Sequence, residues 1–290
     1  MSSDLTAEVA SAVLAWGEAA RRDLPWRRTR DPWAVLVSEL MLQQTQVSRV
    51  LAKYHEFLDS YPTPAACASA PLADVIRRWS GLGYNRRAVS LHASACMIMQ
   101  DFSAQVPNTL PALRRLRGVG AYTARAVLAF AFEAEVAVVD TNIARVLARM
   151  CGRSLTAKEV QTAADAALER DRPWEWNQSL MDLGATLCTA RQPRCTACPL
   201  APECVWRGGH DLDPAEGSAG VSGGQSRFEG SDRQGRGRLV RALGAAPVTA
   251  DDLSAVMGWP ADPERATRVA ATLVDDGLVR VVDRTYQLPG

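Results

Sequence analysis

Lysine is almost missing from this 290-residue chain: Lys53 and Lys158 are its only two. Chemistry that needs an amine nucleophile therefore has two places to come from. Long apolar runs are missing too. None approaches the roughly 18–20 residues that cross a bilayer, so no membrane partner is expected. The first stretch, MSSDLTAEVASAVLAWGEAARR, carries acids early and arginines late, the reverse of a secretory signal. A cytoplasmic protein is expected, nucleoid-associated if bacterial. Strand signals are nearly absent before residue 209, so the first 208 residues read as all-α.

Apolar residues make up 47% and charged residues 22%, the balance of a soluble globular protein. The length suits two domains, or one split domain with a small appendage. The net charge of +1 is unevenly spread: residues 209–290 hold nine Arg against twelve Asp or Glu. That leaves a basic surplus in the first 208 residues, which permits a phosphate-binding face.

Residues 110–142, LPALRRLRGVGAYTARAVLAFAFEAEVAVVDTN, organise the chain. An amphipathic run (Leu110, Leu113, Leu116) breaks at Gly118-Val119-Gly120, and a second helical run follows at once. The two glycines are expected to take positive φ and turn the backbone sharply. Free N–H groups at the start of the second helix then face outward, where the dipole favours a phosphate. The apolar residues 136–139 deliver Asp140 just ahead of a third helix. A plain tight turn and a plain helix cap remain open as readings of these residues alone.

Asp31-Pro32 is a helix start, an acid at the N-cap with proline at the first position. The helix it opens, WAVLVSELMLQQTQVSRVLAKYHEFL, should be the longest in the chain. Glu39, Gln43, Gln44 and Gln46 interrupt its apolar face. Among Val37, Leu40, Met41 and Leu42 a Glu39 carboxyl is partly desolvated, which raises its pKa; a solvent-facing Glu39 is the alternative. Further helices are expected at 64–70, 72–80, 88–102, 143–150, 156–168 and 174–188, with a turn at Gly81-Leu82-Gly83-Tyr84. Gly, Ser and Asp dominate residues 209–234, a linker. Three helices and a hairpin after it suggest a winged-helix module.

Seven cysteines fall unevenly. Cys67, Cys96 and Cys151 read as small core residues. Cys188, Cys195, Cys198 and Cys204 share one short segment, which in a cytosolic chain argues for a metal centre over disulfides. Zinc and an iron–sulfur cluster both take four thiolates. Only the middle pair has the C-x2-C form of a zinc knuckle, which favours a [4Fe–4S] cluster.

Together these motifs resemble the HhH-GPD DNA glycosylase superfamily. LRGVGAYTA is similar to its helix–hairpin–helix, VVDTN to the stretch ending in its catalytic aspartate, and the cysteine spacing to its iron–sulfur loop. SELMLQQTQV with GLGYNRRA resembles adenine glycosylases of the MutY type. The resemblance covers about residues 5–208. It implies a two-lobed all-α glycosylase fold with an iron–sulfur loop, followed by the small winged-helix-like α+β module. Residues 1–30 and 139–208 would form the cluster domain, 31–138 a six-helix barrel with the hairpin, 209–234 the linker and 235–290 the C-terminal module.

The resemblance also implies roles. Glu39 would protonate adenine N7, and Asp140, kept ionised near a helix N-terminus, would stabilise the oxocarbenium-like sugar. Tyr122 would lie between them, and Asn142 would bond in the same pocket. Endonuclease III-type relatives carry a lysine where Tyr122 stands and a neutral residue at Glu39. Both differences imply a monofunctional enzyme without strong lyase activity.

Gln43, Gln44, Thr45, Leu82 and Tyr84 would fill the gap left by the flipped base and touch its former partner. Gly118, Val119 and Gly120 would hold a backbone phosphate, through a monovalent cation in some readings, with Arg86 and Arg87 nearby. The expected partner is double-stranded DNA with an adenine opposite 8-oxoguanine or guanine, bound by a monomer. Many relatives carry a C-terminal Nudix-like domain, for which about 55 residues are too few. A glycosylase for thymine or uracil opposite guanine, and a non-catalytic iron–sulfur DNA-binding protein, are the competing readings.

Overall fold

The computed structural model describes residues 7–209, 212–221 and 227–290. Residues 1–6 and parts of the expected linker (210–211 and 222–226) lie outside them. In chain order the helices are α1 (Ala7–Ala20), α2 (Pro32–Leu42), α3 (Val47–Ser60), α4 (Pro64–Ser69), α5 (Leu72–Trp79), α6 (Arg86–Asp101) and α7 (Leu110–Leu113). Then come α8 (Ala121–Ala131), α9 (Thr141–Cys151), α10 (Ala157–Ala166), α11 (Pro173–Thr186) and α12 (Asp232–Ala245). The short strand β1 (Val248–Thr249) precedes α13 (Leu253–Met257) and α14 (Pro263–Asp275), and β2 (Arg280–Val282) and β3 (Thr285–Gln287) close the chain. Among the described residues no helix is long and apolar enough to cross a membrane.

The helix starts obey local chemistry. The Asp31 carboxylate accepts from Trp33 N and Ala34 N to open α2. Thr156 and Glu159 form a reciprocal capping box on α10. One expectation fails. The long helix from Asp31 is two, α2 and α3, broken over residues 43–46, with Gln44 in the left-handed region at φ 53°. No Gly or Pro marks the break. Its cause is tertiary and is described with the site.

The chain forms two compact units. One contains residues 7–30, 121–209 and 212–221; the other contains 31–120 and 227–290. Residues 121–138, expected with the barrel, fall in the first unit because α8 packs on α11. There α1 and α9 also pack on α11, around a core that includes Val13, Ile143, Trp176 and Leu183. The expected linker is not all loose. Asp213 pairs with Arg149 at 2.5 Å, and Ala219 N donates to Leu155 O at 2.9 Å, so residues 212–221 strap this unit.

In the second unit, α2–α7 carry the hairpin glycines, and the C-terminal residues form the expected winged-helix topology. The sheet has three strands, ordered β1-β3-β2 and antiparallel, where two were expected. Asp283 and Arg284 both take positive φ, the geometry of a tight hairpin turn. Helix α12 begins earlier than expected, capped by Ser231. Of the scattered cysteines Cys67 is buried, whereas Cys96 and Cys151 are only half-buried.

At the heart of the first unit Asp182 is fully buried and takes 2.7 and 2.9 Å bonds from Arg27, with Arg22 Nε at 2.6 Å. Burial alone would raise its carboxyl. The bonds and charge of Arg27, with those of Arg22, outweigh that and hold it below the usual 3.8. A depressed carboxylate contributes stability that is complete above 3.8 and lost as pH falls through the lowered value. Asp182→Asn should therefore cost about 3–5 kcal/mol at pH 7, because Arg27 is left buried without its counter-charge. Thermal melts followed by far-UV circular dichroism should show the gap between wild type and variant narrowing below pH 4 (about the usual carboxylate value). A gap independent of pH would contradict this account.

Candidate active site

The second unit carries Glu39 and the loops expected to meet DNA. Glu39 lies on α2 at 5% exposure, between Leu36 and Leu40, both fully buried. The solvent-facing alternative is thereby excluded. Three residues later α2 ends, and its last carbonyls are orphans that need donors. Arg87, buried at the start of α6, supplies them. Its Nη1 donates to Leu40 O and Met41 O at 2.8 Å and to Gln43 O at 2.5 Å. Its Nη2 reaches Thr45 Oγ1 at 2.8 Å and Gly83 O at 2.9 Å, and Nε reaches Tyr84 O at 3.3 Å. One guanidinium thus ends α2, shapes the 43–45 loop and ties it to the 83–84 turn. Arg87, expected near the phosphate, is buried and gives its N–H groups to these carbonyls and the Thr45 hydroxyl.

The Thr45 hydroxyl lies 3.3 Å from Leu82 O, and the Leu82 side chain is in the core at 2% exposure. Tyr84, with φ 46°, stands out at 40% exposure. Of the five residues expected to fill a gap in DNA, Gln44 and Tyr84 are exposed, Gln43 and Thr45 are half-buried, and Leu82 is buried. Arg86 is exposed and lies 3.4 Å from Asp276.

At the hairpin only Gly118 takes positive φ, 76°, and a Cβ there would meet Ser90 Cβ at 2.9 Å. Gln43 Nε2 donates to Gly118 O at 3.2 Å, and Val119 is buried. Gly120, expected to share the positive φ, does not. A Cβ there would meet nothing within 4 Å, so its smallness leaves the backbone open to close approach from outside.

The first unit carries Tyr122, Asp140 and Asn142. Tyr122 is half-buried on the first turn of α8, beside buried Thr123. Residues 136–138 belong to no helix or strand. Buried Asn177 of α11 serves their backbone, accepting from Val138 N at 2.8 Å and donating to Val136 O at 3.0 Å. Asp140 follows and caps α9, its Oδ1 accepting from Asn142 N at 2.9 Å and Ile143 N at 2.8 Å. Asn142 Nδ2 donates to its Oδ2 at 2.8 Å. Burial raises the Asp140 carboxyl above its usual 3.8, although those bonds and Arg145 pull it down. It was expected to stay ionised near the helix N-terminus; burial works against the anion, while the bonds from Ile143 and Asn142 and the Arg145 charge favour it. Gly184 lets α11 approach here, since a Cβ would lie 2.9 Å from Asn142 O.

Arg145 Nη2 donates to Asn142 Oδ1 at 2.9 Å, and its Nε to Cys188 O at 2.8 Å. Arg149 Nη1 donates to Cys188 Sγ at 3.3 Å, and Arg207 N to Cys204 Sγ at 3.5 Å. Cys188, Cys195, Cys198 and Cys204 line one pocket with Leu183, Leu187 and Leu200. Burial pushes the Cys198 thiol up to about 11. No three Cys, His, Asp or Glu side chains among the described residues converge as a single metal ion requires. The four thiols surround a pocket, and two of them accept N–H bonds of the kind that stabilise thiolate sulfur.

Sequence reasoning missed the bracing role of Arg87, and missed Asn177 and the Arg145–Arg149 pair altogether. Only the last had a signal, two arginines four apart within the apolar run IARVLARMC.

Residues 37–170 match the HhH-GPD superfamily of base excision DNA repair proteins. The Adenine DNA glycosylase of Mycobacterium tuberculosis is 44% identical over 292 residues, covering 96% of this chain and 92% of the relative. That of Mycolicibacterium smegmatis is 42% identical, covering 96% and 95%. Among solved structures, a thermostable thymine-DNA glycosylase superposes with a TM-score of 0.66 at 31% identity, over 69% of this chain and 94% of the other. A trapped endonuclease III–DNA covalent intermediate superposes at 0.61 and 22% identity, a likeness of fold. The chain belongs to the adenine DNA glycosylase family of the HhH-GPD base excision DNA repair superfamily.

Proposed function

We propose that this protein is a monofunctional DNA glycosylase that removes adenine paired with 8-oxoguanine or guanine, acting as a monomer on double-stranded DNA in the cytoplasm. The observation that carries the reading is Glu39, a carboxyl buried at 5% exposure on an apolar helix one turn before the loop fixed by Arg87. An undamaged purine leaves only when it is protonated, and a buried acid can hold the proton for its N7 until the base is flipped out. Asp140 then faces the cationic sugar. Burial raises its carboxyl in the free protein, so a developing positive charge is the partner it lacks. Asn142 orients that carboxylate through its 2.8 Å bond.

Tyr122 stands where a lyase would need an amine, so cleavage stops at the abasic site. Gly118, Val119 and Gly120 would cradle a phosphate, directly or through a monovalent cation, with Arg86 as a further contact. Gln43, Gln44, Thr45, Leu82 and Tyr84 form the surface around the vacated base, Leu82 from beneath.

The thymine-DNA glycosylase likeness at 31% identity gives a second reading, thymine release opposite guanine. Base release from duplexes carrying each mismatch, with and without alkali, separates the two. Adenine should be released, with strand breaks only after alkali. Glu39→Gln should lower the rate about 10²–10⁴-fold. Thymine release that survives Glu39→Gln would establish the second reading. Asp140→Asn should lower the rate comparably yet leave the melting temperature unchanged or higher. A carboxyl raised by burial costs stability at neutral pH, and asparagine still caps a helix. A variant that melts well below wild type would contradict the burial account.

We assign Cys188, Cys195, Cys198 and Cys204 to a [4Fe–4S] cluster. Four thiols around one pocket and the N–H donors of Arg149 and Arg207 fit an anionic thiolate set. Bound there, the cluster would brace residues 187–207 against α9. Purified protein should contain about four iron and four sulfide per chain. Cys198→Ser should lower both. Zinc without sulfide would contradict the assignment.

A further inference from the structure

The C-terminal module reaches the expected gap-filling ring through Arg233. Arg233, on the first turn of α12, donates from Nη1 to Tyr84 Oη at 3.2 Å. The Arg87 guanidinium carbon lies over the same ring, 5.6 Å from its centroid, within the range of a cation–π attraction. An exposed aromatic in the left-handed region is thus held at its hydroxyl and over its ring.

The helix that carries Arg233 is itself fastened within the unit. Arg236, three residues on, pairs with Asp276 at 2.5 Å, and Asp276 also faces Arg86 at 3.4 Å. Asp232 pairs with Arg265 at 2.7 Å, which ties the start of α12 to α14. Near the far end of α12, Arg77 Nε of α5 donates to Gly244 O at 3.1 Å. Helix α12 therefore cannot swing away from the 83–84 turn without breaking several charge-assisted bonds.

We propose that Arg233 is a positioning residue for Tyr84, and that the winged-helix module thereby sets how this ring is presented to the base stack. The inference rests on the reading of Tyr84 as the residue that enters the gap. A ring already held in one orientation loses less freedom on insertion, so the bond acts on the binding of mismatched DNA. It does not act on bond cleavage, because neither Arg233 nor Tyr84 reaches the reacting atoms in that reading.

The test is a double-mutant cycle in the full chain, with Arg233→Ala, Tyr84→Phe and both. Its readouts are the dissociation constant for mismatched duplex, the base-release rate at saturating enzyme, and fluorescence of 2-aminopurine placed beside the mismatch. Arg233→Ala should weaken mismatch binding about 3–10-fold, the scale of couplings between contacting side chains. The saturated rate should hold, and the 2-aminopurine signal should report poorer insertion. Arg233→Lys, which keeps a donor, should recover most of the loss. In the Tyr84→Phe background, removing Arg233 should add less than about twofold.

A full effect of Arg233→Ala in that background, with the slope of log affinity against log salt reduced by about one, would make Arg233 a phosphate contact and overturn the proposal. So would no effect at all. Tyr84→Ala separates the levels: undiminished mismatch binding in that variant sinks the gap-filling reading itself, whatever Arg233 does.

Discussion

The Arg87 guanidinium holds the Glu39-bearing unit in shape around the end of α2. It meets the carbonyls of Leu40, Met41, Gln43, Gly83 and Tyr84 and the hydroxyl of Thr45. Burial lowers it to about 10, so it remains charged at neutral pH. A buried charge without partners costs several kcal/mol. Here the partners are backbone dipoles at the negative end of α2, which a cation stabilises. Each such bond to a charged donor is worth about 1.5–3 kcal/mol, and each orphaned carbonyl would cost about as much. The end of α2 just after Glu39, the path of residues 43–45 and the 83–84 turn are all bonded to this one side chain.

The other half is arranged on a similar principle with different residues. Asn177 supplies the bonds that a neighbouring strand would supply, and so fixes the residues before Asp140. Arg145 and Arg149 then link α9 to the cysteine loop through carbonyls and a sulfur. In both halves a buried polar side chain serves irregular backbone, because helices alone cannot satisfy the groups at their ends. A carboxylate follows or precedes each irregular stretch. Burial is possible for it because the surrounding backbone is fixed, so that little water reaches it.

How far the sequence could be read follows from the range of the forces involved. The α2 start was legible because Asp31-Pro32 acts within four residues, and Glu39 was legible because its apolar neighbours lie one turn away. The winged-helix order of elements was legible from periodicity. The break at 43–46 was not, since LQQTQV contains no Gly or Pro and its cause lies more than 40 residues downstream, in Arg87. Strand β1 is two residues long and exists only by pairing with β3, which no local pattern reveals. The packing of residues 212–221 was hidden by a composition of Gly, Ser and Asp. Asp213 finds Arg149 and Ser218 finds Leu155, long-range bonds that hold a weakly apolar segment in place. The same long range separates the two hairpin glycines. Gly118 takes a positive φ and sits where Ser90 leaves no room for a Cβ, while Gly120 stays open.

The near absence of lysine takes on a structural meaning in this light. Arg87 serves five carbonyls, Arg27 grips Asp182 through two nitrogens, and Arg149 joins Asp213, three carbonyls and a sulfur. A guanidinium offers five N–H groups in a rigid plane and is more weakly hydrated than an ammonium. Lysine has three donors about one point and would leave acceptors unmet in each place. The C-terminal module uses its arginines similarly. Residues 227–290 hold nine Arg and nine acids, and Arg227, Arg236, Arg265, Arg268 and Arg284 are in ion pairs. A module so nearly neutral attracts DNA weakly by charge alone. Its arginines act instead at short range, on named carbonyls, carboxylates and one tyrosine hydroxyl.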